Sequence, residues 1–125
     1  MAKRVLLVDD EPDIREVAQV SLEMVAGWTV FTAASGNEAI AKAIADQPDA
    51  ILLDVMMPDM DGPTTFGRLQ AEPKTRAIPV ILLTAKVSAA DQRRFADLGV
   101  RGMIPKPFDP MTLAQQVERI LGWSE

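Results

Sequence analysis

The stretch ILLDVMMPDMDG, at residues 51–62, places an acidic residue at the end of an apolar run. Three apolar residues run directly into Asp54, and a segment rich in turn-forming residues follows. An apolar run without alternation is typical of a strand buried on both faces of a parallel sheet. Asp54 then lies at the carboxyl end of that strand, which is where ligands bind in open α/β sheets. Taken alone, the same carboxylate could simply stabilise the turn that follows it.

Five short apolar runs occur along the chain, and each is followed by a stretch with apolar residues at helical spacing. This alternation predicts an α/β fold, with a parallel sheet and helices on both of its faces. The predicted strands are RVLLV at 4–8, TVFTA at 29–33, AILL at 50–53, PVILL at 79–83 and GMI at 102–104. The predicted helix signals are a stop at Gly27, a capping box of Ser35 and Glu38, a cap at Ser88, a cap at Asp109 with Pro110 at the first helical position, and a shorter helix over 64–70.

The composition excludes several classes of protein and of site. The chain has 125 residues, a net charge of −5 and neither cysteine nor histidine. A domain of this size buries a real core, and its acidic balance disfavours a nucleic-acid surface. Without cysteine or histidine there are no disulfides, no histidine general bases and no histidine or cysteine metal ligands. Any metal must therefore be a hard cation bound by oxygens, such as Mg²⁺.

The apolar segments and the ends of the chain bear on its location and its extent. No apolar run reaches the roughly 18 residues that a membrane span needs. The first residues, MAKRVLLVDDEP, read as a strand and not as a signal peptide, because acids closely follow the two positive charges. We therefore expect a single cytoplasmic domain over residues 1–125. The last predicted helix ends shortly before the chain does, so we expect no output domain.

Polar side chains follow four of the five predicted strands. Asp9 and Asp10 follow the first strand, Asp54 the third, Thr84 the fourth and Lys106 the fifth. Because the carboxyl ends of parallel strands meet at one edge of a sheet, we expect these side chains to converge. Each has a simpler explanation alone, since an aspartate or a threonine often caps a helix and a surface lysine is often just solvated. The same kind of group at four strand ends favours one shared site.

The residue types at this edge suit phosphoryl transfer to a carboxylate. Aspartate can act as a covalent nucleophile, and catalysis of this reaction is mostly positioning and charge neutralisation. Asp54 would accept the group, while Asp9 and Asp10 would hold Mg²⁺. Lys106 would neutralise one phosphoryl oxygen, and the Thr84 hydroxyl would donate to another. Three carboxylates then balance the charges of one Mg²⁺ and one lysine.

Four segments together resemble the response-regulator receiver domains of two-component signalling, and in particular stand-alone members similar to chemotaxis regulators. The segments are VLLVDDEP at 5–12, ILLDVMMPDMDG at 51–62, PVILLTA at 79–85 and GMIPKPF at 102–108. They occur in the usual order, and the likeness covers essentially the whole chain. The resemblance implies a flavodoxin-like three-layer sandwich, in which a five-stranded parallel sheet has the order 2-1-3-4-5 and packs against five helices.

The resemblance also assigns roles to individual residues beside the phosphoryl group. It implies a cis peptide bond between Lys106 and Pro107. It implies Mg²⁺ as the cofactor, with Mn²⁺ as an acceptable substitute. The implied metal ligands are Asp10 directly, Asp9 mostly through water, Asp54 and the backbone carbonyl of Met56, and the implied catalytic residues are Asp54 as phosphoacceptor, Thr84 as switch hydroxyl and Lys106.

One position departs from the family pattern. Receiver domains commonly have Tyr or Phe three residues before the lysine, and here that residue is Met103. A thioether can repack but cannot flip as a ring does, so we expect an altered readout at the surface, unless Met103 is simply a packing residue. Met56 and Lys86 lie two residues after Asp54 and Thr84, where they would flank an attacking water and tune the phosphoryl lifetime. Lys86 could equally be a solvated loop charge.

We therefore expect a phospho-accepting switch of a two-component phosphorelay and not a turnover enzyme. The expected donor is a sensor histidine kinase or a phosphotransfer protein, and the expected target is a partner protein that recognises the changed surface. We expect no direct nucleic-acid or membrane contact, and both a monomer and a phosphorylation-dependent dimer stay open. Two alternatives are a haloacid-dehalogenase-like phosphatase, disfavoured because Met56 stands where that family has a second aspartate, and a receiver fold that only binds partners.

Overall fold

The five apolar runs form one parallel sheet. A computed structural model describes residues 2–85 and 88–123. The strands are β1 (Arg4–Val8), β2 (Thr29–Ala33), β3 (Ala50–Asp54), β4 (Val80–Thr84) and β5 (Gly102–Pro105). They pair in the order β2-β1-β3-β4-β5, which confirms the implied topology. Each strand begins and ends within one residue of its predicted bounds.

Five helices alternate with the strands, as predicted. They are α1 (Pro12–Ala26), α2 (Gly36–Asp46), α3 (Gly62–Ala71), α4 (Ala89–Leu98) and α5 (Leu113–Leu121). Gly27 ends α1 with a φ of 71°, in the left-handed region that glycine adopts without a Cβ penalty. The hydroxyl of Ser35 accepts a hydrogen bond from the Glu38 amide at 3.1 Å, so the predicted cap of α2 is confirmed. Ser88 caps α4 in the same way.

The third helix is longer than predicted. The sequence pattern indicates a short helix over 64–70, but α3 already begins at Gly62. The Asp61 carboxylate caps it by accepting a hydrogen bond from the Thr64 amide at 2.8 Å. An effective cap therefore extends a helix whose apolar periodicity is weak.

The predicted start of the last helix is wrong. Asp109 and Pro110 are predicted to begin it, but α5 begins at Leu113. The Asp109 carboxylate accepts a hydrogen bond from the Met111 amide at 2.9 Å, and its carbonyl accepts one from the Thr112 amide at 3.0 Å. These bonds close a separate turn before the helix, because an Asp-Pro pair serves turns and helix starts equally well.

Both faces of the sheet are buried, so the fold has the predicted three layers. Successive side chains of a strand point to opposite faces. Leu6 and Ile51 belong to a core cluster that includes residues of α2, α3 and α4. Val5 and Leu52 belong to a second cluster that includes residues of α1 and α5. Within the described ranges, no helix combines the length and the apolar character needed to cross a membrane.

Gly62 lies where the start of α3 passes close to the end of β3. Its amide donates a hydrogen bond to the Val55 carbonyl at 2.8 Å. A Cβ built on Gly62 would lie only 2.6 Å from the backbone oxygen of Asp54, and a backbone atom cannot swing aside as a side chain can. A Cβ on Gly67, in the same helix, would meet no described atom within 4 Å.

We predict that Gly62→Ala lowers the free energy of unfolding by about 1–3 kcal/mol, the usual cost of overpacking. Gly67→Ala should leave it unchanged or raise it by up to about 1 kcal/mol, because alanine favours a helix. Urea unfolding of the two variants measures the difference. Equal midpoints would mean that the junction of β3 and α3 has room for a side chain.

Candidate functional site

Four strands deliver polar side chains to the carboxyl edge of the sheet, as the sequence predicts. Asp9 and Asp10 directly follow β1, and Asp54 is the last residue of β3. Thr84 ends β4, and Lys106 directly follows β5. Because β1, β3, β4 and β5 are successive neighbours in the sheet, these side chains lie along one continuous edge.

Three carboxylates form an acidic cluster at this edge. Asp9, Asp10 and Asp54 each offer an oxygen within 4.8 Å of the others. Asp9 is 0% exposed and Asp54 is 2% exposed, whereas Asp10 is half-buried. Carboxylate oxygens are the ligands that Mg²⁺ and Mn²⁺ accept, and the chain has no histidine or cysteine that would favour a softer metal. The donor set therefore fits a hard divalent cation.

Lys106 is held inside the cluster and is not a solvated surface lysine. Its Nζ donates to Asp9 Oδ2 at 2.9 Å and to Asp54 Oδ1 at 3.3 Å, and it lies 3.8 Å from a carboxylate oxygen of Glu11. The Lys106 side chain is 14% exposed. Its peptide bond to Pro107 is cis, as the resemblance implies. The ammonium group is thus positioned between the acids of two different strands.

Thr84 and Met56 lie beside Asp54 in different ways. Thr84 is buried at the end of β4, and its carbonyl accepts a hydrogen bond from the Lys106 amide at 3.0 Å. The Met56 amide donates to Asp54 Oδ1 at 3.3 Å, while the Met56 side chain is 63% exposed. Its proposed influence on an attacking water stays a prediction. The role of its carbonyl as a metal ligand stays a prediction.

The turn between β1 and α1 holds Asp9 and Asp10 in place. The Asp9 amide donates to the Ala33 carbonyl at 3.1 Å, and Asp9 Oδ1 accepts a hydrogen bond from the Glu11 amide at 2.9 Å. Glu11 occupies the cap position of α1, which has no side-chain cap bond among the described residues. Capping α1 is therefore not what Asp10 does, and its carboxylate is available to the cluster.

Arg15 supports the same turn, although the sequence pattern does not single it out. Its Nη1 donates to the backbone carbonyl of Asp9 at 2.7 Å. Arg15 lies on α1, six residues beyond Asp9, so its side chain must reach back toward the start of the helix. The partner is a backbone carbonyl, which every residue has, so no sequence signal could have indicated this contact.

The electrostatics of Asp54 and Lys106 reflect their crowding. Burial and the nearby charge of Asp9 raise the pKa of Asp54 from 3.8 to about 6, although the Lys106 ammonium opposes this shift. Burial acts to lower the pKa of Lys106, but its hydrogen bond and charge interactions with Asp9 and Asp54 outweigh burial, so the pKa is raised. One cation thus compensates only part of the negative charge at this edge.

The other two positions that the sequence singles out lie away from the cluster or outside the described residues. Met103 lies on β5 and is half-buried, and it packs against the core cluster shared with α2, α3 and α4. This placement favours a packing role for its thioether. Lys86 lies outside the described residues, so its proposed influence on the phosphoryl lifetime stays a prediction.

Residues 5–118 match the family model described as the response regulator receiver domain. RpaA of Synechocystis sp., a DNA-binding dual master transcriptional regulator, is 38% identical over 118 residues, which make up 94% of this chain and 48% of RpaA. The chain spans about half or less of the length of the curated relatives that it matches.

Solved structures agree with the family match. Chemotaxis response regulator CheY4 of Vibrio cholerae superimposes with a TM-score of 0.89 at 34% identity, covering 96% of this chain and 99% of CheY4. The receiver domain of sensor histidine kinase PA1611 from Pseudomonas aeruginosa, with a TM-score of 0.85 at 30% identity, covers 98% of this chain and 99% of its own, and it coordinates a magnesium ion in its active site cleft. The chain belongs to the family of response regulator receiver domains.

Proposed function

We propose that this receiver domain accepts a phosphoryl group on Asp54 from a histidine kinase or a phosphotransfer protein and then binds a partner protein through its changed surface. The observation that carries the proposal is the buried Asp54 carboxylate, which contacts Lys106 and lies beside the acids of β1. A carboxylate that is buried and close to two other carboxylates is poorly suited to a purely structural role. It is well suited to a reaction that brings in compensating groups.

The proposed transfer changes one bond on each side of phosphorus. An oxygen of the Asp54 carboxylate forms a bond to phosphorus while the bond from phosphorus to the donor's histidine nitrogen breaks. The electron pair of the broken bond stays on that nitrogen, which takes up a proton. Asp54 then carries a mixed anhydride between its carboxyl group and phosphate.

The neighbouring side chains would stabilise the extra charge. Lys106 already donates to Asp54 at 3.3 Å, so its ammonium is placed to donate to an oxygen of the incoming group. The Thr84 hydroxyl at the end of β4 is proposed to donate to another. When bound by Asp9, Asp10, Asp54 and the Met56 carbonyl, Mg²⁺ or Mn²⁺ would neutralise further negative charge on the phosphoryl oxygens.

The raised pKa of Asp54 affects both reactivity and stability. At a pKa of about 6 the group is mostly ionised near neutral pH, as a nucleophile must be. Because the folded pKa lies above the ordinary 3.8, the folded state holds the proton more tightly than the unfolded chain does. The tighter proton binding of Asp54 therefore stabilises the folded state fully below about pH 4, and this stabilisation is lost as the pH rises through about 6.

The proposed domain turns over only its own phosphoryl group and is not an enzyme that acts on a diffusible substrate. A haloacid-dehalogenase-like phosphatase needs an acid two residues after its nucleophile, and Met56 cannot transfer that proton. A receiver fold that only binds partners would not need Lys106 buried between two acids. Chemical phosphorylation of Asp54 separates the switch from this second alternative.

We propose that the domain works in the cytoplasm and acts on protein partners. Its net charge of −5 disfavours direct contact with nucleic acid or with an anionic membrane. Many of its curated relatives are transcriptional regulators that are about twice as long as this chain. In those relatives we expect contact with DNA to lie outside the half that matches this chain. Both a monomer and a phosphorylation-dependent dimer are compatible with the proposal.

An apolar surface beside the site is proposed to receive the phosphodonor protein. Lys106 and Pro107 line a small cleft with Val17 and Pro110. The same Val17 and Pro110 also line a larger groove of about 570 Å³ that runs along α1 past Val20. Val20 is 47% exposed, so the groove is an open apolar surface, and it adjoins the cleft lined by Lys106, whose ammonium contacts Asp54.

We predict that acetyl phosphate with Mg²⁺ adds one phosphoryl group to the wild-type protein at Asp54. Mass spectrometry of the intact chain and of its peptides measures the addition. Asp54→Asn should abolish the added mass, whereas Asp97→Asn, an exposed acid on α4, should leave it unchanged. A folded wild-type protein that gains no phosphoryl mass would refute the proposed function.

We predict that Asp54→Asn raises the unfolding temperature of the metal-free protein on the order of 5 °C near neutral pH, because one of three repelling carboxylates is removed. Near pH 4 the difference should almost vanish, since Asp54 is then largely protonated in the folded wild type. Thermal unfolding at several pH values measures this trend. A difference that does not depend on pH would contradict the raised pKa of Asp54.

We predict that Val20→Glu slows phosphotransfer from the most active kinase of a tested panel by about tenfold, or about 1.4 kcal/mol, because a charge enters the apolar groove. Labelling by acetyl phosphate should be unchanged, since a small donor needs no groove. Ala96→Glu on α4 introduces the same carboxylate on another exposed surface and serves as the control. Equal effects of the two variants would place donor docking elsewhere.

A further inference from the structure

The loop between β3 and α3, residues 55–61, carries one of the proposed metal ligands and must be held in place. Its two ends are fixed by backbone contacts. The Val55 amide donates to the Leu83 carbonyl at 3.1 Å, and the Gly62 amide donates to the Val55 carbonyl at 2.8 Å. The middle of the loop, which follows Met56, needs support from another part of the molecule.

That support comes from the first turn of α2. The Asp59 carboxylate accepts hydrogen bonds from the amides of Gly36 and Asn37, each at 3.3 Å. Residues 36 and 59 are 23 positions apart in the chain, so this is a tertiary contact and not a local turn. These bonds satisfy amides at the start of α2 that have no partner within the helix.

Gly36 allows α2 to approach the loop closely. A Cβ at this position would lie 2.4 Å from the Thr65 hydroxyl and 3.1 Å from the Met60 Cβ. Thr65 is buried, and its hydroxyl donates to the Asp61 carbonyl at 2.9 Å, so it has little freedom to move away. The close packing of α2 against α3 and against Met60 of the loop therefore requires glycine.

The ionisation of Asp59 is consistent with its hydrogen bonds to the start of α2. Partial desolvation acts to raise its pKa, but hydrogen bonds from the amides of Gly36, Asn37 and Met60 outweigh it, so the pKa lies below the ordinary value. The carboxylate consequently stays ionised while it is bound to the start of α2. A negative charge at that end of a helix is also favoured by the helix dipole.

We propose that Gly36 and Asp59 are positioning residues for the cation site, because they fasten α2 to the loop that carries Met56. This inference rests on the proposed function of the acidic cluster and extends it to a part of the fold that touches none of the reacting atoms. The Met56 amide already bonds Asp54, so a displaced loop disturbs both a proposed ligand and the phosphoacceptor. Residues that orient metal ligands typically change metal affinity by about 10-fold or more when they are altered.

The test measures Mg²⁺ affinity from the rise in unfolding temperature with Mg²⁺ concentration, which requires no phosphorylation. Gly36→Ala should weaken Mg²⁺ binding by about 10-fold, because the new methyl group pushes α2 away from Thr65. Gly67→Ala places the same methyl group in open space and should leave the affinity unchanged. Asp59→Asn serves as a second variant, since its exposed side chain keeps its size and should not prevent folding.

Removing the charge of Asp59 could weaken Mg²⁺ binding at long range without moving the loop. The measurement is therefore repeated at about 1 M salt, where the screening length is only about 3 Å. A loss of affinity that persists at high salt supports the positioning role, and a loss that disappears there overturns it. Unchanged affinity in both folded variants also overturns it, and if Gly36→Ala does not fold, Asp59→Asn decides alone. A wild-type protein that binds no Mg²⁺ refutes the proposed function of the site instead.

Discussion

The contact between the Lys106 ammonium and the buried carboxylates of Asp9 and Asp54 is the interaction on which the rest of the site depends. Burying a carboxylate is costly unless it is paired, and here one lysine serves two acids, with Asp10 close by. Burial and, after it, the nearby charge of Asp9 raise the pKa of Asp54, and the single lysine only partly offsets this shift. Folding therefore leaves the edge with excess negative charge, which a divalent cation can correct.

The interaction of Lys106 with the two acids can form only after distant strands have been assembled into the sheet. Lys106 and Asp9 are 97 positions apart in the chain, so their contact requires that β5 be placed on β4 and β4 on β3. No local segment can form the site by itself. The order of the strands puts β1 and β3 side by side in the interior of the sheet, where Asp9 and Asp54 are buried. The Lys106 ammonium comes from the end of β5, an edge strand.

The sequence predicts the strands, the three layers and the converging strand ends because these features follow from local patterns. An apolar run such as 80–83 is typical of a strand buried on both faces of a sheet. The carboxyl ends of parallel strands lie at the same edge of that sheet. The start of α5 could not be predicted in the same way, since Asp109 has the same local preference in a turn as in a helix cap. The contacts of Arg15 and Asp59 could not be predicted from the sequence for another reason. Their partners, the Asp9 carbonyl and the first amides of α2, are backbone groups that carry no signature in the sequence.

The substitution of Met103 for an aromatic residue changes what can carry a signal away from the site. Position 103 carries no aromatic ring, but the backbone still links the two residues proposed to contact the phosphoryl group, because the Lys106 amide donates a hydrogen bond to the Thr84 carbonyl. We expect any shift of Thr84 toward a phosphoryl group on Asp54 to act on β5 through this hydrogen bond. From β5, Met103 packs against the cluster that contains α4, while Ile104 packs against the cluster that contains α5. We therefore expect a displaced β5 to act on both helices through these packed side chains, so the proposed change of surface shape would need no aromatic ring.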